Sequence, residues 1–194
     1  MRAFDILISI CGLLFILPFT PFVILAIIFE DGWPFLVQLD RVSDGLTIKV
    51  YKFRTMKKNA HEMKSELAHL NERSDGPFFK IKNDPRLTKV GKFLRKFRLD
   101  EFPQFINVLK GELALVGPRP HEPEEMLEYP VEFKKLYLAK AGLTGLSQVS
   151  GASSLPFRRE IELDLYYLEN RSFWLDLKVI SKTIWIFWSD PTGV

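Results

Sequence analysis

The feature that most constrains the fold is an uncharged stretch near the N-terminus, which runs from Ile6 to Phe29. A helix that crosses a bilayer needs about 20 apolar residues, so hydropathy alone indicates a transmembrane helix. Pro18 and Pro21 lie near the middle of the stretch, where they remove backbone hydrogen bonds and force a bend. Each arm is then too short to cross the hydrocarbon core, and the Thr20 hydroxyl can bond a freed carbonyl oxygen. The stretch favours a helix that enters the bilayer, turns and leaves on one face; a straight or kinked span is the alternative.

Composition excludes several other classes of protein. The 194 residues are enough to bury a core, and they predict one domain or a domain plus an anchor. The 27 basic and 24 acidic residues are too evenly balanced to indicate a nucleic-acid partner. The single cysteine, Cys11, excludes an internal disulfide framework, and the three histidines do not have the spacing of a zinc site.

Two strands are predicted directly after the anchor. They are residues 35–39 and 46–55, joined through a turn at Ser43-Asp44-Gly45. Lys52 and Arg54 share the parity of one strand face, so their side chains can converge on one anion. The alternative is that both are solvated charges on an edge strand.

The segment that follows is predicted to contain two helices on either side of a break. Asp84-Pro85 is typical of a helix start, and residues 87–97 then alternate apolar and basic side chains, Arg95 among them, at helical spacing. A helix with one apolar and one basic face suits the edge of a membrane with anionic lipid. A second helix is predicted to start with Asp100 as its N-cap and to end at Lys110-Gly111.

The acidic pair Asp100-Glu101 allows two interpretations. Acidic residues are common in a first helical turn, and taken alone the pair indicates only capping and compensation of the helix dipole. Alternatively, the positive end of the helix and the neighbouring basic residues favour the charged form of a carboxyl group. Asp100 would then be ionised and nucleophilic at neutral pH.

The other predicted elements are less informative about chemistry. They are an amphipathic packing helix over 60–72, a strand over 113–116, a covering helix over 131–140, a glycine-rich loop over 141–151 and two helices between 157 and 188. The amides of the glycine-rich loop could approach a phosphate closely. The last helix carries tryptophans interleaved with lysines, a pattern that suits a membrane interface or packing on the domain core equally well.

Several motifs must be considered together. In chain order they are Gly76-Pro77-Phe78-Phe79-Lys80, Asn83-Asp84-Pro85-Arg86-Leu87-Thr88, Gly91-Lys92-Phe93-Leu94-Arg95, Leu99-Asp100-Glu101, Pro103-Gln104, Asn107-Val108-Leu109-Lys110-Gly111 and Val116-Gly117-Pro118-Arg119-Pro120. This set closely resembles the bacterial sugar transferases that start surface-polysaccharide synthesis, the monotopic polyprenyl-phosphate phosphoglycosyl transferases. The resemblance covers nearly the whole chain and is far more specific than any single motif.

The resemblance implies an α+β, mostly helical fold. Residues 1–31 would form a re-entrant membrane anchor. Residues 32–194 would form a compact catalytic domain with a small β-hairpin and amphipathic helices at the membrane interface. The protein is expected on the cytoplasmic face of the bacterial inner membrane.

The implied reaction transfers a sugar phosphate from a nucleoside diphosphate sugar, with uridine as the expected base, to undecaprenyl phosphate, and it releases the nucleoside monophosphate. Asp100 matches the nucleophile, whose attack on phosphorus makes a reactive acyl phosphate. Glu101 matches the carboxylate that holds Mg2+, and the metal would neutralise charge on the diphosphate. Lys52, Arg95 and Arg119 would orient Asp100 or bind phosphate oxygens.

Further substrate contacts are implied at positions that match the family motifs. With Arg119, they are Arg54, Pro118, Pro120, Thr144 and Gln148. The match weakens at Lys140-Ala141, where relatives commonly have arginine-proline, and at Ala152, where they commonly have arginine. Arg158 and Arg159 are the candidates to replace the lost arginine.

Two other classes of function stay open. A non-catalytic adaptor on the membrane surface would explain the anchor and the basic helix, but it would not explain the acidic pair beside them. A membrane-bound hydrolase of nucleotide sugars would need an aspartyl intermediate that is open to water.

Overall fold

The computed structural model describes residues 2–151 and 154–189. It begins with two helices, Arg2–Ile16 (α1) and Thr20–Asp31 (α2), which are bent by 61° at the break between them. The Thr20 hydroxyl donates to the Ile16 carbonyl oxygen at 3.0 Å, which confirms the predicted role of this side chain. Within the described residues no single helix is long and apolar enough to cross a membrane. The bent pair α1 and α2 together has the length and the apolar composition of a span. The predicted bend at the prolines is therefore present.

The predicted hairpin is also present. Leu36–Ser43 (β1) and Leu46–Phe53 (β2) pair antiparallel along their full length, and the turn between them places Gly45 at a φ of +72°. The first strand continues beyond Leu39, where it was predicted to end, and the second stops before Thr55. The hairpin is thus longer on one side and shorter on the other than the hydrophobic pattern predicted.

The amphipathic segment after the hairpin does not form the predicted helix over 60–72. It contains a single turn of α-helix, Met63–Glu66 (α3), and a 3-10 turn, Ala68–Leu70. Neither turn buries a side chain. Tertiary packing supplies most of the stability of a short helix, so an apolar stripe without a partner does not extend it.

The basic helix begins later than predicted. It spans Lys89–Lys96 (α4), and its N-cap is Thr88, whose hydroxyl accepts from the Gly91 amide at 2.9 Å. The Asp84 carboxylate instead accepts from the backbone amide and from the Nε of Arg86, both at 2.9 Å. Asp84 therefore closes a local turn with its own arginine and is not the cap of the helix.

A contact from the N-terminal helices completes the start of α4. The Glu30 carboxylate, near the end of α2, accepts from the amides of Lys89 and Val90 at 2.6 and 2.8 Å. Gly91 lets the helix approach the chain after β2, since a Cβ atom there would lie 1.9 Å from the Thr55 carbonyl oxygen. The N-terminal helix pair and the end of the hairpin thus both hold α4.

The acidic pair lies in a 3-10 helix, Leu99–Gln104, which continues directly into Phe105–Lys110 (α5). Arg98, at a φ of +50°, is the residue that precedes the 3-10 helix. Asp100 lies in its first turn and is not the N-cap that the sequence predicted. The predicted stop is confirmed, because Gly111 ends α5 in the left-handed region at a φ of +83°.

The glycine-rich segment contributes a strand to the interior. Gly142–Thr144 (β4) pairs in parallel with Ala114–Val116 (β3). A Cβ atom on Gly142 would lie 2.1 Å from the Gly117 amide nitrogen, so glycine is required for this close approach. The Gly142 amide donates to the Pro118 carbonyl oxygen at 2.8 Å. The prediction that these glycines form an open loop for phosphate is therefore wrong for Gly142.

Helices cover the two short parallel strands and complete the domain. They are Pro123–Leu127 (α6), the 3-10 helix Val131–Leu138, Leu146–Val149 (α7), Phe157–Asn170 (α8) and Phe173–Ser189 (α9). The two predicted C-terminal helices are confirmed, whereas the predicted helix over 131–140 is 3-10. The Tyr167 hydroxyl on α8 bonds the Val116 carbonyl oxygen and the Asp176 carboxylate, at 3.0 and 2.6 Å. This side chain joins α8, β3 and α9.

The outward face of α2 is apolar, and that of α9 carries exposed tryptophans beside Lys178 and Lys182. Trp174, Trp185 and Trp188 on α9 are 75%, 70% and 76% exposed, while Val179 on the opposite side is buried in the core. Phe29 on α2 is 84% exposed. The tryptophan stripe therefore does not pack on the domain core. Exposed apolar surface of this extent indicates contact with a membrane or with another protein.

Candidate active site

The acidic pair and a lysine from the hairpin form the centre of the candidate site. Asp100 is buried, whereas the Glu101 side chain is 36% exposed. Lys52, on β2, places its Nζ 2.6 Å from Glu101 Oε1. The hairpin and the 3-10 helix pack against each other. This packing is what brings together residues that are 49 positions apart in the sequence.

The two carboxyl groups have opposite electrostatic environments. Burial raises the pKa of Asp100, and the charge of Glu101 raises it further, although Lys52 and Arg95 oppose the shift. Burial would also raise the pKa of Glu101, but Lys52, through its charge and its hydrogen bond, lowers it below the ordinary value. The prediction that the surroundings favour an ionised Asp100 is therefore corrected. Lys52 is hydrogen-bonded to Glu101, whereas Asp100 is removed from water by burial.

Two arginines extend the positive surroundings of the pair. Arg95, at the end of α4, donates its Nε to the Thr55 hydroxyl at 3.1 Å and lowers the pKa of Asp100. Arg119, between Pro118 and Pro120, lowers the pKa of Glu101. The structure thus brings Lys52, Arg95 and Arg119 to the acidic pair. An arrangement of three cations around two carboxylates can bind the phosphates of an anionic substrate.

Arg54 and Lys52 contact different carboxylates of the protein, Asp31 and Glu101. Arg54 is 5% exposed, and its Nη2 donates to the carbonyl oxygens of Asp31 and Gly32 at 3.0 and 2.6 Å. Arg54 thus joins the hairpin to the end of α2. Its convergence with Lys52 on a substrate anion stays a prediction.

The other predicted substrate contacts are Thr144, Gln148, Pro118 and Pro120. The Thr144 hydroxyl is 2.7 Å from the hydroxyl of Thr183 on α9. Gln148 has a buried Oε1 with no hydrogen-bond partner within the described residues. Pro118 is buried and Pro120 is half-buried. Contact of these four residues with substrate stays a prediction.

The candidate replacements for the missing arginine pair with acidic residues on the protein surface. Arg158 and Arg159 are exposed and form ion pairs with Glu162 at 3.3 and 3.5 Å. Ala152 lies outside the described residues.

Two buried carboxylates on α8 were not among the predicted site residues. Glu160 and Asp164 are each 1% exposed, and they share the buried face of the helix with Phe157, Ile161 and Tyr167. The sequence signal was the spacing, because acidic residues at these positions fall on the apolar face of an amphipathic helix. Their partners are far away in the chain, so the spacing alone could not identify them.

The donor set of the site suits a magnesium ion that binds together with substrate. Among the described residues no group of three or more His, Cys, Asp or Glu side chains is placed to hold a metal ion. Mg2+ commonly uses only one or two carboxylates and completes its octahedral coordination with water and substrate phosphates. Asp100 and Glu101 meet that requirement, and Lys52 is the group with which the metal would compete for Glu101.

Comparison with known proteins agrees with the geometry. A family model described as bacterial sugar transferase matches residues 1–190. The chain is 41% identical over 157 residues to a galactosyl transferase of Streptococcus agalactiae, which covers 80% of the chain and 35% of that relative. It is 38% identical over 186 residues to the undecaprenyl-phosphate galactose phosphotransferase of Salmonella typhimurium, covering 94% of the chain and 39% of the relative.

A third relative has a name that specifies both substrates. The UDP-glucose:undecaprenyl-phosphate glucose-1-phosphate transferase of Klebsiella pneumoniae is 38% identical over 192 residues, covering 94% of the chain and 39% of the relative. The chain thus spans between a third and two-fifths of the length of these three relatives.

Proposed function

Because the chain belongs to the bacterial sugar transferase family, we propose that it transfers a sugar 1-phosphate from a UDP-sugar to undecaprenyl phosphate. The observation that carries the proposal is the acidic pair of buried Asp100 and half-buried Glu101, which has Lys52, Arg95 and Arg119 around it. The names of the relatives, which specify UDP-glucose and undecaprenyl phosphate, support this choice of substrates.

The proposed chemistry has two displacements at one phosphorus atom. An oxygen of the Asp100 carboxylate attacks the β-phosphorus of the UDP-sugar, and the bond from this phosphorus to the bridging oxygen breaks. UMP leaves, and the sugar phosphate stays on Asp100 as an acyl phosphate. A phosphate oxygen of the undecaprenyl phosphate then attacks the same phosphorus and releases the Asp100 carboxylate. Covalent catalysis of this kind replaces one difficult step with two easier ones.

The residues around Asp100 prepare the first displacement. Because burial raises its pKa, Asp100 must lose its proton before it can attack. Lys52 and Arg95 favour the ionised form, and they act in a site where burial of the carboxylate limits screening by water. Arg119 is held between two prolines, which limits the backbone freedom of a residue proposed to bind the diphosphate.

A magnesium ion is part of the proposal. Glu101, with Asp100 beside it, would hold the ion, and the ion would neutralise negative charge on the diphosphate of the donor. Lys52 keeps Glu101 ionised, which is the protonation state that a metal ligand requires.

The N-terminal helices set the proposed location. The bent pair α1–α2 would enter and leave the cytoplasmic face of the inner membrane, and the exposed tryptophans of α9 would lie at the interface. Undecaprenyl phosphate carries its reactive phosphate at that depth. The site would therefore meet the lipid phosphate from the side and the UDP-sugar from the cytoplasm.

Incubation with donor alone tests the reaction class. The purified protein is mixed with Mg2+ and either UDP-glucose or UDP-galactose, without lipid acceptor, and UMP is measured. A transferase with a covalent intermediate releases UMP up to one equivalent per enzyme. A hydrolase releases it catalytically, and an adaptor releases none. Either of the last two results would refute the proposal.

Intact-protein mass after acid quench tests the role of Asp100. The parent is expected to gain the mass of one sugar phosphate, and addition of undecaprenyl phosphate should remove it. Asp100→Asn keeps the size of the side chain and should gain no mass, with turnover lowered at least about a thousandfold. Asp40→Asn, an exposed aspartate paired with Lys49, is the matched control and should behave like the parent. If the parent turns over with both substrates but never acquires the mass, transfer is direct.

A further inference from the structure

Arg119 is attached to α8 through both its backbone and its side chain. Its amide nitrogen donates to Asp164 Oδ2 at 3.1 Å, and its Nη1 lies 3.8 Å from Glu160 Oε2. The two carboxylates are one turn apart on the buried face of the helix. The Arg119 side chain is nevertheless 40% exposed, so the guanidinium extends from the buried carboxylates towards the outside.

The two oxygens of Glu160 have different partners. Oε1 is hydrogen-bonded to the guanidinium of Arg73, a side chain that is 7% exposed and also pairs with Asp75 at 3.1 Å. Oε2 is buried and has no hydrogen-bond partner within the described residues; Arg119 is the cation that faces it. A buried carboxylate oxygen without a partner is unfavourable, so it attracts the nearest donor. At 3.8 Å, a small rotation of Arg119 is enough to form that bond.

Arg119 is the positively charged outer member of a network of four charged side chains. Arg73 and Asp75 already form a pair, and Glu160 is shared between the two guanidinium groups. Arg73, Asp75, Glu160 and Arg119 therefore sum to zero charge, with the positive end at Arg119, the outermost member. A guanidinium that is attracted by Glu160 on its inner side presents its other N–H groups outwards, which favours bidentate binding of a phosphate.

We infer that Glu160 is a positioning residue, which orients the Arg119 guanidinium towards the diphosphate of the donor. The inference rests on the proposed function, because it assumes that the ligand of Arg119 is a nucleoside diphosphate sugar. Arg119 also acts on Glu101, so the same guanidinium connects the buried network of α8 to the acidic pair. Glu160 itself is buried, so it would act through Arg119 and is not a catalytic residue.

The test compares the donor and acceptor dependence of Glu160→Gln with the parent. The substitution keeps the size of the side chain and removes its charge. The KM for UDP-glucose or UDP-galactose is expected to rise about tenfold, which corresponds to about 1.4 kcal/mol for the lost ion pair that orients Arg119. The kcat should stay within about threefold, and the KM for undecaprenyl phosphate should not change. Glu162→Gln, on the exposed side of the same helix, is the matched control.

A double-mutant cycle with Arg119→Met separates positioning from a general loss of structure. If Glu160 acts through Arg119, Glu160→Gln has no further effect on the donor KM once Arg119 is replaced. A purely structural effect would be the same in both backgrounds. Glu160→Gln also removes one of the carboxylates that pair with the buried Arg73 guanidinium, and this loss could destabilise the fold. The double variant Arg73→Met with Glu160→Gln is therefore measured in parallel.

The outcomes are distinct. An unchanged donor KM in Glu160→Gln, or an equal rise with and without Arg119, overturns the inference while the parent stays active. A parent that releases no UMP from either donor, with or without undecaprenyl phosphate, overturns the proposed function itself.

Discussion

Asp164 provides a quantitative prediction about stability and pH. It is 1% exposed, and burial, supported by the charge of Glu160, raises its pKa from 3.8 to about 6. The hydrogen bond from the Arg119 amide and the charge of Arg119 act in the opposite direction. The charge of Asp164 in turn raises the pKa of Tyr129. A shift of this size corresponds to about 3 kcal/mol of differential stability between the two protonation states.

The sign follows from which state of the protein holds the proton more tightly. Asp164 has the higher pKa in the folded protein, so its favourable contribution is complete below the unfolded pKa of 3.8 and is lost as the pH rises through about 6. At pH 8 the folded protein therefore contains an ionised, buried carboxylate. Asp164→Asn removes the ionisation and keeps an oxygen that can accept from the Arg119 amide. The variant should be more stable than the parent at pH 8 by up to about 3 kcal/mol, and little different at pH 4.

Thermal unfolding in detergent, followed by tryptophan fluorescence at one heating rate, measures the effect. For a chain of this size, 1 kcal/mol shifts the midpoint by roughly 2–4 °C, so the variant should gain several degrees at pH 8. Asp40→Asn is the exposed control and should show no such trend with pH. A difference between Asp164→Asn and the parent that is the same at pH 4, 6 and 8 would refute the reasoning, because it would mean that Asp164 does not titrate with a raised pKa.

Two further predictions concern the anchor and the metal. Tags at the two ends of the parent should both be accessible from the cytoplasm, and opposite accessibility would contradict a re-entrant anchor. Replacing Pro18 and Pro21 together by alanine should favour a straight span, which moves the N-terminal tag to the other side of the membrane. Glu101→Gln should weaken sugar-phosphate transfer and shift its dependence on the Mg2+ concentration. The control is Glu66→Gln, at an exposed position on α3, which should change both little. Equal effects of the two substitutions would mean that Glu101 is only a charge at a helix start.

Features that depend on neighbouring residues could be predicted from the sequence. The bend at Pro18 and Pro21, the turn at Gly45 and the helix end at Gly111 are local consequences of a missing N–H group or of a positive φ. The hydroxyl bond of Thr20 belongs to the same class, because its partner is one helical turn away. In each case the residue type limits the backbone before any tertiary contact forms.

Features that depend on distant contacts could not be predicted. Asp84 had the sequence pattern of a cap, but it bonds Arg86, which also donates to the carbonyl oxygen of Ala60, 26 positions earlier in the chain. Asp100 is at the start of a 3-10 helix, yet its pKa is raised, because packing against the hairpin removes it from water. In the sequence, Glu160 resembles any acidic residue of a helix, because its ion pair with Arg119, 41 positions earlier, forms only in the fold. Burial and pairing are properties of the fold, and a local pattern does not contain them.

The contacts at the end of α2 explain how the N-terminal helices and the acidic pair can keep a fixed distance. Glu30 binds the first amides of α4, and six residue steps, or about 9 Å of helix, lead from Lys89 to Arg95. Asp31 pairs with Arg54 at 3.2 Å, immediately after the strand that carries Lys52. Both cations that act on Asp100 are therefore attached, within a few residues, to one helix end. If α2 lies in the bilayer as proposed, the depth of that helix determines the height of Asp100 above the lipid. A fixed height is what allows a soluble donor and then a lipid phosphate to reach the same carboxylate.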